Sequence, residues 1–173
     1  CSLDRLGTDT IDLYQYHRPD PDTDFEESVH AFAEMRDAGQ IAHIGLSNVT
    51  VEQLETAMEI VEIATVQNRY NVGHRDDEDV LRACERRDVG FIPWGPMYTV
   101  DDEGIADALD AVGDRHDATR RQVALAWLLD HSNVTLPIPG TSSIEHLESN
   151  VAAAEVSLTD EDMTALDGID PQE

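Results

Sequence analysis

The chain has 173 residues, 40% of them hydrophobic, with 37 acidic side chains against 11 basic ones and a formal net charge of −26. That length suits one domain with a real core and is short for two large ones. No apolar run approaches the roughly 18 residues that cross a bilayer, and so negative a surface repels phosphate backbones and anionic lipid, which argues against nucleic-acid and membrane partners.

Every lysine or arginine position holds arginine; the chain contains no lysine. The acids are spread over helices and loops rather than gathered in a tail. Such a surface repels itself where screening is weak, so adaptation to multimolar salt is expected. A melting midpoint that fails to rise from low to multimolar KCl would count against it. Cys1 and Cys84 lie too far apart for a metal cluster or a stapled secreted framework, and Cys84 falls on the apolar stripe of a predicted helix. A reducing, cytoplasmic setting fits. The first residues, CSLDRLGTD, lack the basic and apolar regions of a secretory signal and read as the tail of a helix.

In chain order, Thr10 to His17 (TIDLYQYH) reads as a buried strand that ends on a titratable side chain. Pro19 to Asp22 forms a rigid loop. Asp22 or Thr23 is placed to cap a helix over roughly 24–38, with Gly39 ending it. Ile41 to Leu46 is a second strand delivering Ser47 and Asn48. Thr50 caps the next helix, with Gln53 close behind. Thr65-Val66 opens a third strand that presents Gln67, Asn68, Tyr70 and Asn71. A helix over about 77–87 follows. GFIPWG, residues 90–95, is the fourth strand. Helices are predicted over roughly 104–112 and 119–130, and a fifth strand over 135–138. Two helices, over 144–153 and 159–166, close the chain.

Alternating strands and helices with little hairpin chemistry predict a parallel sheet covered by helices. Neither the dinucleotide-binding GxGxxG nor the P-loop GxxxxGK[ST] occurs. Polar residues sit instead at successive strand ends, as in a (β/α) barrel that builds its site at one rim. The expectation is an incomplete (β/α)8 barrel of about five parallel strands. It forms one partial domain over residues 1–173 that lacks the first strands.

The strand ends supply the candidate chemistry. His17 either pairs with backbone or polarises a carbonyl. Ser47 and Asn48 either turn the chain or hold a planar amide. Gln67 must be paired if buried. Trp94 is either core filler or a stacking surface. Gly140 to Ser143 precede a helix, where free N–H groups bind phosphate readily or are simply capped.

The order of these stretches resembles an aldo-keto reductase, an NAD(P)H-dependent (β/α)8 barrel enzyme. The matching segments are LGTDTIDLYQYHRPDP, AGQIAHIGLSN, VQNRYN, GFIPWGP, LPIPGTSSIEHLESN and the tail AAAEVSLTDEDMTALD. The resemblance implies that His17 is the catalytic histidine that orients a substrate carbonyl. It implies that Ser47, Asn48 and Gln67 hold the nicotinamide carboxamide, and that Trp94 stacks on the ring where the family commonly has tyrosine. Gly95 and Met97 would line the pyrophosphate path. Gly140, Thr141 and Ser142 would meet the adenosine phosphate, with His146 and Asn150 where the family often has an arginine and an adenine-binding asparagine.

The departures are also informative. The family's catalytic Asp, Tyr and Lys have no counterparts here, and Tyr14 and Tyr16 lie on the histidine's own strand. The cation that often grips the 2'-phosphate is missing, so both NADP and NAD stay open as cofactors. The implied reaction is reduction of a small aldehyde or ketone in a full-length parent, with this chain alone inactive. The alternatives are a non-catalytic nucleotide-binding or subunit-like protein, or a truncated product. Exposed sheet edges are expected to favour self-association.

Overall fold

The structure is a computed structural model and describes residues 2–169; Cys1 lies outside them. The chain divides into two compact units, one of residues 1–68 and 79–91, the other of residues 69–78 and 92–173. They are called here the sheet unit and the helical unit.

The sheet unit begins with a short helix, α1 (Ser2–Leu6), and continues with β1 (Ile11–Tyr16), α2 (Phe25–Asp37), β2 (Ile41–Ser47), α3 (Val51–Ile60), β3 (Thr65–Gln67), α4 (Glu78–Arg87) and β4 (Gly90–Phe91). The strands lie side by side in the order β1-β2-β3-β4, every adjacent pair parallel. Parallel pairing follows from the helix inserted between each strand and the next. Side chains alternate across the sheet. On one face Tyr14 and Tyr16 pack their rings against Phe25 and Phe32 of α2, and Ile44, Leu46 and Val66 are buried. The other parity carries Gln15, His17, Gly45, Ser47, Thr65 and Gln67. Gly45 sits in the ladder between Gln15 and Thr65. A Cβ there would lie 2.1 Å from Gln15 Oε1 and 2.5 Å from Thr65 Oγ1, so the close approach of these side chains requires glycine.

The helix starts were largely readable. Thr50 and Gln53 form a reciprocal capping box at α3. At α2 the cap is Asp24, one or two residues beyond the predicted Asp22 or Thr23; its side chain accepts from Glu27 N.

The helical unit contains α5 (Ile105–His116), α6 (Arg120–His131), α7 (Ile144–Ala152), a 3-10 turn (Ala153–Glu155) and α8 (Asp160–Asp167). Helix α6 is its centre. Val123 through Leu128 are all buried, and α6 packs on α5, α7, α8 and the 3-10 turn. An all-round apolar stretch of this kind marks a helix enclosed by neighbours. Thr119 with Gln122, and Thr159 with Asp162, form the capping boxes of α6 and α8.

Two strand predictions need correction. The ladder of β4 stops at Phe91, and only an isolated bridge joins Trp94 to Arg69 further on; Pro93 removes a ladder donor in between. Among the described residues, the predicted fifth strand over 135–138 is absent from the sheet. Pro137 and Pro139 each lack an N–H and so break a continuous ladder, and Leu136 and Ile138 are exposed. Also among the described residues, no helix is long and apolar enough to cross a membrane.

Candidate active site

In the sheet unit, three strand ends converge. His17 follows β1, Ser47 ends β2, and Gln67 ends β3 in register with Ser47. Parallel strands put their C-terminal ends at one edge, so sequence order alone gathers these side chains. Hydrogen bonds then fix them. Ser47 Oγ, 2% exposed, donates to Gln67 O at 2.6 Å. Asn48 donates its backbone N–H to the same carbonyl at 3.1 Å. Its Nδ2 donates to His17 O and to Ser47 Oγ, each at 3.0 Å. Asn48 has φ 57°, a left-handed conformation that asparagine tolerates better than most residues. Beneath them Asn68, 2% exposed, clasps the Val49 backbone, accepting from its N–H at 3.1 Å and donating to its carbonyl at 2.8 Å. The His17 ring is exposed, and the half-buried Gln67 carboxamide has no hydrogen-bond partner among the described residues.

In the helical unit, Trp94, Gly95 and Met97 share one tight loop. Gly95 has φ +65°, and a Cβ there would lie 2.9 Å from the Tyr98 ring. The Trp94 and Tyr98 rings meet edge to face at 6.3 Å. The loop is braced from inside by fully buried Asn71, which donates to Gly95 O at 2.9 Å and accepts from Thr99 Oγ1 at 2.8 Å and Gly73 N at 3.1 Å. Sequence reasoning placed Asn71 beside the site but gave it no task. Its signal was a carboxamide in an apolar setting, which must find partners.

Elsewhere in the helical unit, Gly140, Thr141 and Ser142 are exposed and lead into α7. Some of the expected donors are already engaged. Ser143 caps α7 by accepting from His146 N at 3.3 Å, and its own N–H is held by Thr141 Oγ1 at 3.1 Å. The His146 side chain is exposed. Leu125, Leu129, Ile138, Gly140 and Leu147 line a mostly apolar cavity of about 640 Å³ together with Asn150. Asn150 Nδ2 is buried and has no partner among the described residues. The candidate residues thus fall into one group in the sheet unit and two in the helical unit.

The strongest electrostatic feature lies elsewhere in the helical unit. Asp162 is 1% exposed. Burial by itself would raise its pKa. The Thr159 hydroxyl and N–H, with Arg115 and His116, more than offset that and hold the carboxyl well below the usual carboxylate range. A second knot joins Tyr70, Glu78 and His131, with His131 lying against Trp127, whose indole N–H donates to Asp167 at 2.9 Å. Among the described residues, no group of three or more His, Cys, Asp or Glu side chains could hold a metal ion.

The aldo/keto reductase family profile matches residues 1–171. The chain belongs to this family. As an aldo-keto reductase it is 42% identical over 166 residues to an uncharacterized oxidoreductase of Schizosaccharomyces pombe, a match covering 96% of this chain and 54% of that protein. A thermostable aldo-keto reductase solved with the inhibitor epalrestat superposes with a TM-score of 0.90 at 36% identity, over 96% of this chain and 62% of that one. An aldo-keto reductase of Klebsiella pneumoniae solved in complex with NADPH gives a TM-score of 0.84 at 29% identity, over 99% of this chain and 63% of that one. The chain therefore spans less than two thirds of each of these three proteins. Its four-stranded sheet with helices is part of the aldo-keto reductase barrel.

Two polar groups fit a nicotinamide nucleotide. The Gln67 carboxamide has donors and an acceptor to spare, and Asn150 Nδ2 is a buried donor beside a cavity large enough for a ring.

Proposed function

We propose that the chain carries the nicotinamide-nucleotide-binding and carbonyl-orienting part of an aldo-keto reductase that reduces small aldehydes or ketones. The observation that carries this reading is the cluster at the strand ends. Ser47, Asn48 and the His17 backbone are tied to one another while the Gln67 amide and the His17 imidazole stay available.

In this reading Gln67 bonds the carboxamide within the frame that Ser47 and Asn48 fix, and Trp94 offers its indole face to the ring. Gly95 and Met97 border the diphosphate. Gly140, Thr141 and Ser142 meet the adenosine phosphate, with His146 beside them and Asn150 on the adenine. The bound nucleotide would supply a hydride to the carbonyl carbon. His17 donates a hydrogen bond to the carbonyl oxygen and so aims the substrate, a positioning contribution. Neither Ser142 nor His146 supplies a permanent cation, so NADPH and NADH should bind within about tenfold of each other, the scale of one missing charge-assisted hydrogen bond.

Quenching of tryptophan fluorescence by NADPH and NADH tests the reading. Gln67→Ala should weaken both nucleotides about tenfold, as expected for lost bonds to a polar group. Unchanged affinity would remove Gln67 from the site, and no quenching by either nucleotide would end the proposal. Mixed with an aldehyde and NADPH, the chain should leave absorbance at 340 nm constant, because it holds no lysine to tune a proton donor.

A further inference from the structure

Arg69 stands apart from the other arginines of the helical unit. Arg115, Arg120 and Arg121 each hold a carboxylate, and Arg75 donates to the carbonyls of Asp167 and Ile169. Among the described residues the Arg69 side chain has no hydrogen bond or ion pair, and its Nε, like that of Arg75, is buried without a partner.

What Arg69 does have is an aromatic neighbour. Its guanidinium carbon lies 6.0 Å from the centroid of the Trp94 ring, at the outer limit of a cation–π contact. The bridge between Arg69 and Trp94 fixes the two backbones side by side. Tyr98, 69% exposed, closes on the same ring from the Gly95 turn. The contact with Trp94 restrains the side chain without neutralising it. A half-buried guanidinium that keeps its charge and an unused Nε donor is prepared for an anion. Its planar fork suits a phosphate or a carboxylate, and the adjoining indole suits a flat ring.

We infer that Arg69 and Trp94 form a recognition site for a flat ring bearing an anionic group, with the indole receiving the ring and the guanidinium the anion. The inference rests on the placement of Trp94 in the nucleotide site proposed above. It adds a cation to a surface whose overall charge would otherwise repel anionic ligands. The anion is either the phosphate of the nicotinamide nucleotide or a carboxylate on the carbonyl substrate.

Two pairs of probes separate these sources, read by tryptophan fluorescence of the 173-residue chain. A Trp94→Phe variant identifies the Trp94 contribution against that of buried Trp127. Nicotinamide mononucleotide is compared with nicotinamide riboside, and 4-carboxybenzaldehyde with benzaldehyde. Arg69→Gln should weaken the member of one pair that carries the phosphate or carboxylate by about tenfold or more and leave its counterpart without that group unchanged. Arg69→Lys should recover part of the loss, and keeps the test open if the glutamine variant melts. Arg86→Gln, an exposed change of the same charge, should do nothing. The pair that responds names the anion. Equal weakening of probes with and without the anionic group, or none, overturns the inference. If NADPH binds equally well with and without Arg69 and neither charged probe responds, this site falls while the proposed function stands. Binding of 4-carboxybenzaldehyde through Arg69 with no binding of any nicotinamide nucleotide supports the site and ends the proposed function. No binding of any probe ends both.

Discussion

The sheet unit and the helical unit use the same polar residue types in opposite ways. In the sheet unit, Ser47 and Asn48 bond to backbone and to each other, and Asn68 bonds to backbone. What they hold still is the edge on which His17 and Gln67 stand. In the helical unit, the tied polar groups, Asp162 foremost, fasten helices to one another, whereas Asn150, Arg69 and Arg75 each keep a buried donor unmatched among the described residues. An unmatched buried donor destabilises a fold unless something else fills the need. Among the described residues the sheet unit also leaves Gln15 Oε1 and Thr65 Oγ1 unmatched, so the contrast separates residues that shape a site from residues that keep bonding capacity.

The comparison can be broken most directly at Asp162. Replacing it with alanine strands Arg115, His116 and the Thr159 cap, and should cost about 2–3 kcal/mol in a denaturant melt, the range for hydrogen bonds to a buried charge. Its pKa is lower folded than unfolded, so its stabilisation is fully present above the ordinary carboxylate pKa. It is lost as pH falls through the lowered folded value. The wild type should therefore lose stability on acidification more steeply than Asp162→Asn, and parallel acid melts would remove Asp162 as the hub.

Asn68→Ala probes the sheet unit with a somewhat smaller effect. Two buried bonds to Val49 disappear, for a loss of about 2 kcal/mol, and nucleotide affinity should fall as the strand ends loosen. A variant that loses stability but binds NADPH unchanged would show that the clasp is not part of the site's support.

The smallest effect on stability is expected at Asn150. Its Nδ2 bonds to nothing among the described residues, so Asn150→Ala should change the melt by less than about 0.5 kcal/mol while weakening NADPH. A large loss of stability would place Asn150 with the structural asparagines and erase the distinction between the units.

The parts of the molecule readable from sequence were the local ones. Thr50 announces a helix start because a cap and its partner lie three residues apart. His17, Ser47 and Gln67 could be gathered at one edge because parallel strands require it. Two kinds of feature stayed hidden. The stretch over 135–138 has strand composition, but its prolines keep it out of the described sheet, and strand formation depends on a neighbour that composition does not name. The ties of Asp162 to Arg115 and His116, of Asn71 to Gly95 and of Arg69 to Trp94 join residues 24 to 47 positions apart, and no period or motif links such distant positions.

Cys84 on α4 gives the sheet unit a timer of its own. Burial pushes its thiol up to about 12, with Arg87 opposing and Glu85 adding to the shift, so near neutral pH it holds almost no reactive thiolate while the helix is seated. Iodoacetamide should reach this sulfur only during moments when α4 lifts away. The rate at which the peptide containing Cys84 becomes alkylated, separated by mass from that of Cys1, would then count those openings one molecule at a time, without any dye or engineered label.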